Sequence, residues 1–396
     1  MPDVIVIGGG VVGSYLAGRL AGIGYAVTVI EKKPEIGGPV CCTGIISREC
    51  VAGFRIDEDI VLRRYKSAML ISPDKKVISL QRPEVQACVV DRGALDSMMA
   101  ERAQAAGAAF IYNSPVIHID IADDGAAVSL SRNGKESKIN GSLIVDASGF
   151  NSGIAAKLGC GKPSDFVMGA QTTVTTNGTD EVEVYFDREI APGFFSWLVP
   201  VSGNKALAGL MARHNVKGYL RSLLAWLTEA GKIKSASSDI TVRGIPLKPL
   251  AGTYGKRFLI CGSAAGQVKP LTGGGIYYGL LCADSAAETI HQAMLSNDFS
   301  AGRLAGYEKA WRKKLGHEIR RSYQARLVFE RLNNRQLSKA FDITARAGLI
   351  DAILADPEVS FDWHGDLAGR IMRQKALSGV LALVKSSFRL LKQQAN

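Results

Sequence analysis

The chain has 396 residues, 47% hydrophobic and 21% charged, which excludes a disordered polymer and supplies core for two or three structural units. Its 43 glycines cluster at 8–13, 37–44 and 273–275 without a three-residue period, which excludes collagen and draws attention to loops. Forty-eight Lys and Arg against 37 Asp and Glu leave a net charge of +11; this favours acidic partners, but no basic stretch interleaves with aromatics as in a nucleic-acid binder, so nucleic acid is not expected.

Val4–Ile7 is a β-branched run that stops at Gly8-Gly9-Gly10-Val11-Val12-Gly13, after which Tyr15, Leu16, Leu20 and Ile23 recur at helical spacing. Val27–Ile30 follows as a second strand ending at Glu31, which completes the start of a βαβ unit. In such a unit Gly8 allows the turn, Gly10 lets a pyrophosphate approach the backbone, and Gly13 lets helix and strand pack closely. The helix N-terminus faces the phosphates. Glu31 can accept from both ribose hydroxyls, while its charge repels a 2′-phosphate, so FAD or NAD fits better than NADP.

Further along, Ala68–Ile71, Val77–Leu80, Gln86–Val90, Ala126–Leu130, Glu181–Phe186 and Ala206–Met211 read as strands, several of them alternating as half-exposed antiparallel sheets do. Leu143–Asp146 is an apolar strand running into Ala147-Ser148-Gly149, and Phe258–Cys261 another, stopping at Gly262-Ser263-Ala264-Ala265-Gly266. Pro270–Gly275 then opens a helix through Tyr278, Leu281 and Ala287, whose first turn offers amides suited to the pyrimidine end of a flavin. After residue 300, Tyr307, Trp311, Leu315 and Ile319 form a stripe read as core. The final segment carries Leu377, Val380, Leu381, Val384, Phe388 and Leu391 on one face, and its bases are unopposed by any acid after Asp366. That helix suits either a membrane surface or packing on the protein body.

Seven cysteines are odd in number and scattered, which points to a reducing, cytoplasmic compartment. The five histidines show no paired spacing, and Cys41 and Cys42 are adjacent, so no metal site is expected. Pro270–Ala283, an uncharged stretch of 14 residues with four glycines, falls short of a membrane span. Asp3 stands where a secretory leader would carry positive charge, so no leader is expected.

The set Gly8–Gly13, Glu31, Asp91-Arg92 with Leu95-Asp96, Asp146–Gly149, Gly262–Gly266 and Pro270–Gly275 resembles the FAD-dependent p-hydroxybenzoate hydroxylase-like superfamily over about residues 1–300. Within it, Pro39–Gly44, Phe195–Pro200 and Asp146–Gly149 most resemble the geranylgeranyl reductase family. The resemblance implies an α/β (α+β) fold: a Rossmann-like FAD-binding domain (1–65, 84–160 and 251–300), an inserted antiparallel-sheet substrate domain (66–83 and 161–250) and a C-terminal helical region (301–396). It places Glu31 and Lys32 near the adenosine ribose, Arg92 toward the pyrophosphate or ribityl chain, Gly262 and Ser263 at that chain, and Gly273, Gly274 and Gly275 beneath the flavin. Cys42 is the implied catalytic residue beside the flavin. Phe195, Trp197 and Pro200 match an aromatic-x-Trp-x-x-Pro segment implied to line a lipid cavity.

Three positions depart from the superfamily pattern. Its Gly-Asp pair is Gly262-Ser263 here, its Asp-Gly pair is Ser148-Gly149, and the Arg-Cys-Gly-Glu-Gly loop of the family reads Cys41-Cys42-Thr43-Gly44-Ile45. The implied activity is saturation of double bonds in geranylgeranyl or polyprenyl chains by reduced FAD. The alternatives are an FAD-dependent monooxygenase of an aromatic or lipid substrate and a quinone-linked electron-transfer flavoprotein. The electron donor is open between NAD(P)H and a ferredoxin. An isoprenoid lipid is the expected substrate, with peripheral contact to the cytoplasmic face of a membrane through the basic C-terminal helix.

Overall fold

Val4–Ile7 is apolar at every position because it lies at the centre of a parallel sheet, paired with Leu143–Asp146 on one side and Val27–Ile30 on the other. A strand covered on both faces needs no alternation. In the computed structural model, which describes residues 1–363 and 365 other than 39, 133, 347, 348, 357 and 358, the chain divides into two units. The first comprises Met1–Val40, Asp91–Phe166 and Ile245–His317; the second comprises Cys41–Val90, Val167–Gly244 and the chain from Glu318 onward.

The first unit is built on a six-stranded sheet in the order Tyr254–Gly255, Phe258–Ile260, Leu143–Asp146, Val4–Ile7, Val27–Ile30 and Ala109–Ile111. Helices Val11–Ala21, Arg92–Ala105 and Ile276–Leu295 pack together. Val128 and Leu130 of an antiparallel three-stranded sheet join Ile5, Ile7 and Ile144 in one core. Tyr307, Trp311 and Leu315 are buried here, as their spacing implies, and Ile319 is buried in the second unit. Tyr307 Oη donates to the Ile260 carbonyl at 2.8 Å, and Trp311 Nε1 to Thr253 Oγ1 at 3.0 Å.

The Gly-rich segment differs from expectation in one respect. The helix begins at Ile276, not within Pro270–Gly275. Gly273 has φ +78°, its amide donates to the Lys269 carbonyl at 2.8 Å, and the Lys269 amide donates to the Gly274 carbonyl at 3.0 Å. A left-handed residue cannot continue a right-handed helix, so the loop closes first. The Gly273 amide is thereby used, and the first-turn amides that a helix N-terminus leaves without intrahelical acceptors start after it.

The second unit contains a sheet in the order Ile233–Ala236, Phe166–Thr176, Lys205–Ala212, Ser196–Ser202, Val182–Tyr185, Ser67–Ile71 and Val77–Gln81, antiparallel except between Val182–Tyr185 and Ser67–Ile71. Helix Val216–Glu229 covers one face through Leu220, Leu223 and Leu227. Tyr65, Val89, Val182, Val199 and Val201 form a second cluster. Helices His317–Phe329, Asn334–Arg346 and Leu349–Ala355 follow. The amphipathic run from Leu377 to the C-terminus lies outside the described residues. Among the described residues no helix is long and apolar enough to cross a membrane.

Candidate functional site: a glycine cradle and an aromatic strand

In the first unit, chain reversal after Val4–Ile7 is possible only without side chains. Gly8 has φ +104°, and a Cβ there would lie 2.6 Å from the Ala147 carbonyl oxygen; a Cβ on Gly13 would lie 2.0 Å from the Gly8 carbonyl oxygen. Gly10, the N-cap of Val11–Ala21, has nothing within 4 Å of its Cβ position. Two glycines therefore close the turn and the third opens onto space, the shape a pyrophosphate requires. No residue of the helix's own first turn is acidic.

Two carboxylates tune this opening. Glu31 accepts from the Gly9 amide at 2.8 Å through Oε2 and from the Lys33 amide at 2.9 Å through Oε1, which pins it at the end of its strand beside the loop. Asp96, 6% exposed, accepts from the Val11 amide at 3.0 Å and pairs with Arg92 Nη2 at 3.1 Å. The amides of Gly9 and Val11 are thus satisfied within the chain, and Arg92 is tied to helix Val11–Ala21 through Asp96. Asp91 caps Arg92–Ala105 by accepting from the Ala94 amide at 2.9 Å. Lys32 is exposed.

The later glycine segments reach the same place through Val12. A Cβ on Gly262 would lie 3.2 Å from Val12 Cγ1, and one on Gly279 2.5 Å from Val12 Cγ2. A Cβ on Gly275 would stand 3.3 Å from Ser263 Oγ, and one on Gly274 3.0 Å from Lys269 Cε. Gly8, Gly10, Gly13, Glu31, Arg92, Gly262, Ser263 and Gly275 are therefore gathered in one region, with Gly273 and Gly274 adjoining in the loop before the helix. Sequence reasoning missed Gln267. Its Oε1 accepts from the Gly262 amide at 2.7 Å and its Nε2 donates to Tyr307 Oη at 2.8 Å, fixing the Gly262 turn. The signal was a lone amide side chain in an otherwise small and apolar run.

Asp146 ends the strand beside Val4–Ile7 and is fully buried. Ser148 donates to its Oδ1 from both amide, at 3.0 Å, and hydroxyl, while among the described residues Oδ2 has no partner. Burial raises the carboxyl to about 6 despite the Ser148 bonds.

In the second unit, Cys42 lies in a loop held by a residue that sequence reasoning did not select. Gln171, 5% exposed, accepts from Thr43 Oγ1 at 2.9 Å and donates to the Cys42 carbonyl at 3.4 Å. Cys42 Sγ accepts from the Gly44 amide at 3.5 Å. The neighbouring Cys41 thiol is pushed up by burial. All seven cysteines are free.

Phe195 and Trp197 lie in one aromatic group, their ring centroids 6.0 Å apart. Trp197 lies over Gly209, where a Cβ would come 2.4 Å from its Cζ2. Strand alternation puts Trp197, Val199 and Val201 on one face, whereas Pro200 follows Leu198 onto the other. The structure does not bring Pro200 beside Phe195 and Trp197; its carbonyl accepts from Tyr65 Oη instead.

Residues 3–176 match the lycopene cyclase protein family model. A digeranylgeranylglycerophospholipid reductase from Methanocaldococcus jannaschii is 32% identical over 347 residues, 85% of this chain and 88% of that protein. The fold is similar to that of a geranylgeranyl bacteriochlorophyll reductase-like protein from Thermoplasma acidophilum, with TM-score 0.84 and 24% identity over 96% of this chain and 99% of that one. It is also similar to that of a halogenase, PltM, solved in complex with FAD, with TM-score 0.70 and 16% identity over 99% of this chain and 91% of the other. A parallel sheet with a glycine cradle, joined in one chain to an antiparallel sheet with an aromatic strand, is thus accompanied by a similarity that extends over most of both chains, and the protein belongs to the digeranylgeranylglycerophospholipid reductase family.

Proposed function

We propose that the protein is an FAD-dependent reductase that saturates carbon–carbon double bonds of geranylgeranyl or polyprenyl chains. The observation that carries this reading is the 32% identity, over 85% of the chain, to a protein named for reducing a digeranylgeranylglycerophospholipid. The glycine cradle supports FAD: the space at Gly10 and the exclusion of any Cβ at Gly8 and Gly13 fit a dinucleotide, and Glu31 fits a ribose diol.

Bound FAD, once reduced, would supply a hydride to one alkene carbon while a proton reaches the other. Gly10 and the first turn of Val11–Ala21 would hold its pyrophosphate, Glu31 its adenosine ribose with Lys32 nearby, and Arg92, Gly262 and Ser263 its central chain. Gly273, Gly274 and Gly275 would lie beneath the ring, without side chains that would keep it away from the backbone. Phe195 and Trp197 would present an apolar wall that orients the isoprenoid and excludes water. Cys42 is assigned by family position as the catalytic residue, in a loop pre-set by Gln171. Nucleotide binding is assigned to the first unit and the lipid to the second.

A net charge of +11 suits an acidic ferredoxin as electron donor, with NAD(P)H as the other candidate. The unopposed bases after Asp366 suit peripheral contact with an anionic membrane from the cytoplasmic side. Anaerobic incubation of dithionite-reduced enzyme with a geranylgeranyl lipid should raise the product mass by two hydrogens per bond. An unchanged mass with intact flavin overturns the reading, and an oxygen-dependent mass gain would replace it with a monooxygenase.

A further inference from the structure

The loop before helix Ile276–Leu295 closes around a buried cation. Lys269 is 5% exposed. Its backbone is used by the loop itself, the carbonyl accepting from the Gly273 amide at 2.8 Å and the amide donating to the Gly274 carbonyl at 3.0 Å. Its side chain turns back onto the same residues: a Cβ on Gly274 would stand 3.0 Å from Lys269 Cε and 3.5 Å from Nζ. A side chain at 274 would displace the ammonium, so glycine there lets the charge approach the backbone. Nζ also lies 6.0 Å from the ring centroid of Tyr278, a fully buried residue in the first turn of the helix. One ammonium is thus held against both the loop and the helix that follows.

Two further features give the field here the same sign. The helix carries no acid in its first turn, so the positive end of its dipole is not offset from within. Ser263, whose Oγ lies 3.3 Å from the Cβ position of Gly275, is neutral where the superfamily pattern has an acid. Taking an ammonium out of water is costly, and an apolar side chain could fill the same space without that cost. A loop built in this way favours negative charge placed on it.

A flavin ring acquires such a charge when it is reduced. The oxidised ring is neutral; two electrons and one proton, arriving together as a hydride at N5, leave one negative charge spread over N1 and the C2 carbonyl oxygen. A fixed cation beside that end stabilises the reduced anion and has little effect on the neutral ring, so it biases the equilibrium between the two.

We infer that Lys269 stabilises the anionic reduced form of the bound FAD relative to the oxidised form, which raises its potential and lets a weaker electron donor fill the enzyme. The inference rests on the FAD reading of the glycine cradle and deepens it. The role of Lys269 is electrostatic: it supplies neither the hydride nor the proton that the alkene receives.

The midpoint potential of the FAD-loaded protein, measured against reference dyes, tests it, and sulfite titration of the oxidised protein gives a second reading that needs no electron donor. Sulfite bonds through sulfur to N5, and the electron pair it brings leaves the same negative charge at N1 and the C2 oxygen. Lys269→Met, close in size and uncharged, should lower the preference for reduced over oxidised flavin about tenfold, a fall of about 30 mV in the two-electron potential, and weaken sulfite about tenfold. Lys269→Arg keeps the charge and should stay within about threefold of the parent in both. Unchanged potential and sulfite affinity in Lys269→Met overturn the inference, and so do equal changes in Lys269→Met and Lys269→Arg, which mark a packing role. Should Lys269→Met lose its flavin, titrating the apoprotein with oxidised and with reduced FAD gives the same comparison, and a ratio of dissociation constants equal to the parent's overturns it. A potential shift in an enzyme that adds no hydrogen to a geranylgeranyl lipid keeps this role and removes the reductase reading; hydrogen addition with no shift does the reverse. A parent protein that binds no flavin removes both.

Discussion

In the parallel-sheet unit the decisive contacts are made by backbone. Gly13 meets the Gly8 carbonyl and Gly8 meets Ala147, at distances no Cβ could share. In the antiparallel-sheet unit they are made by side chains brought from distant parts of the chain: Gln171 to the Cys42 loop, the Trp197 indole to Gly209, and Arg326 to the Gly193 carbonyl. A site made of backbone tolerates most neighbours but no added atom, whereas a site made of side chains depends on which residues arrive. The first kind is suited to a cofactor that many chemistries share, and the second to selecting a substrate.

The largest effect is expected at Gly13. Gly13→Ala places a methyl 2.0 Å from the Gly8 carbonyl oxygen, and should cost about 3 kcal/mol or more in urea unfolding and abolish flavin retention. A variant that melts like the parent would show that the turn is not closed as described. Next is Gln171→Leu, which strands the Thr43 hydroxyl and Cys42 carbonyl and should cost about 1–3 kcal/mol, with faster proteolysis in the 41–44 loop. Unchanged cleavage and stability would mean that the loop is held by other contacts.

Asp146 makes the stability of the parallel-sheet unit depend on pH. Its carboxyl is raised by burial from 3.8 to about 6 in the folded chain, so its favourable contribution is complete below about pH 4 and is lost as pH rises through about 6. The loss should reach about 3 kcal/mol when complete. Asp146→Asn should flatten that part of the stability profile, and an identical pH slope in both proteins would remove the assignment. The smallest structural effect belongs to Gly10→Ala, where nothing lies within 4 Å of the new methyl. Stability should change by about 1 kcal/mol or less, as at other helix N-caps, while FAD affinity falls about tenfold because the methyl enters the phosphate space. Undiminished affinity would place the pyrophosphate elsewhere.

Much of the first unit was legible because its signals are local. A β-branched run stopping at glycine, then helical spacing, then a second strand ending in Glu31 specifies strand, turn and helix within about thirty residues. The start of the helix at Ile276 was not legible, because it depends on the Lys269–Gly274 loop closing before it. In the second unit the strands were readable from alternation, but which side chains share a face was less so. Phe195, Trp197 and Pro200 belong to one motif, yet strand alternation sends Pro200 the other way. Gln267 and Gln171 carried no spacing signal, since each is defined by partners supplied through folding.

Local sequence was enough to set the glycine turn after Val4–Ile7, the buried parallel strands and the presence of an aromatic strand, since glycine sterics and hydrophobic period act between near neighbours along the chain. Packing of distant segments put Asp96 on the Val11 amide, Gln171 on the Cys42 loop, and Arg188, Arg213 and Arg326 around Gly193 and Glu330. Each of those depends on bringing segments tens of residues or more apart into hydrogen-bond or ion-pair range, and a charge or amide has no preferred partner until packing supplies one.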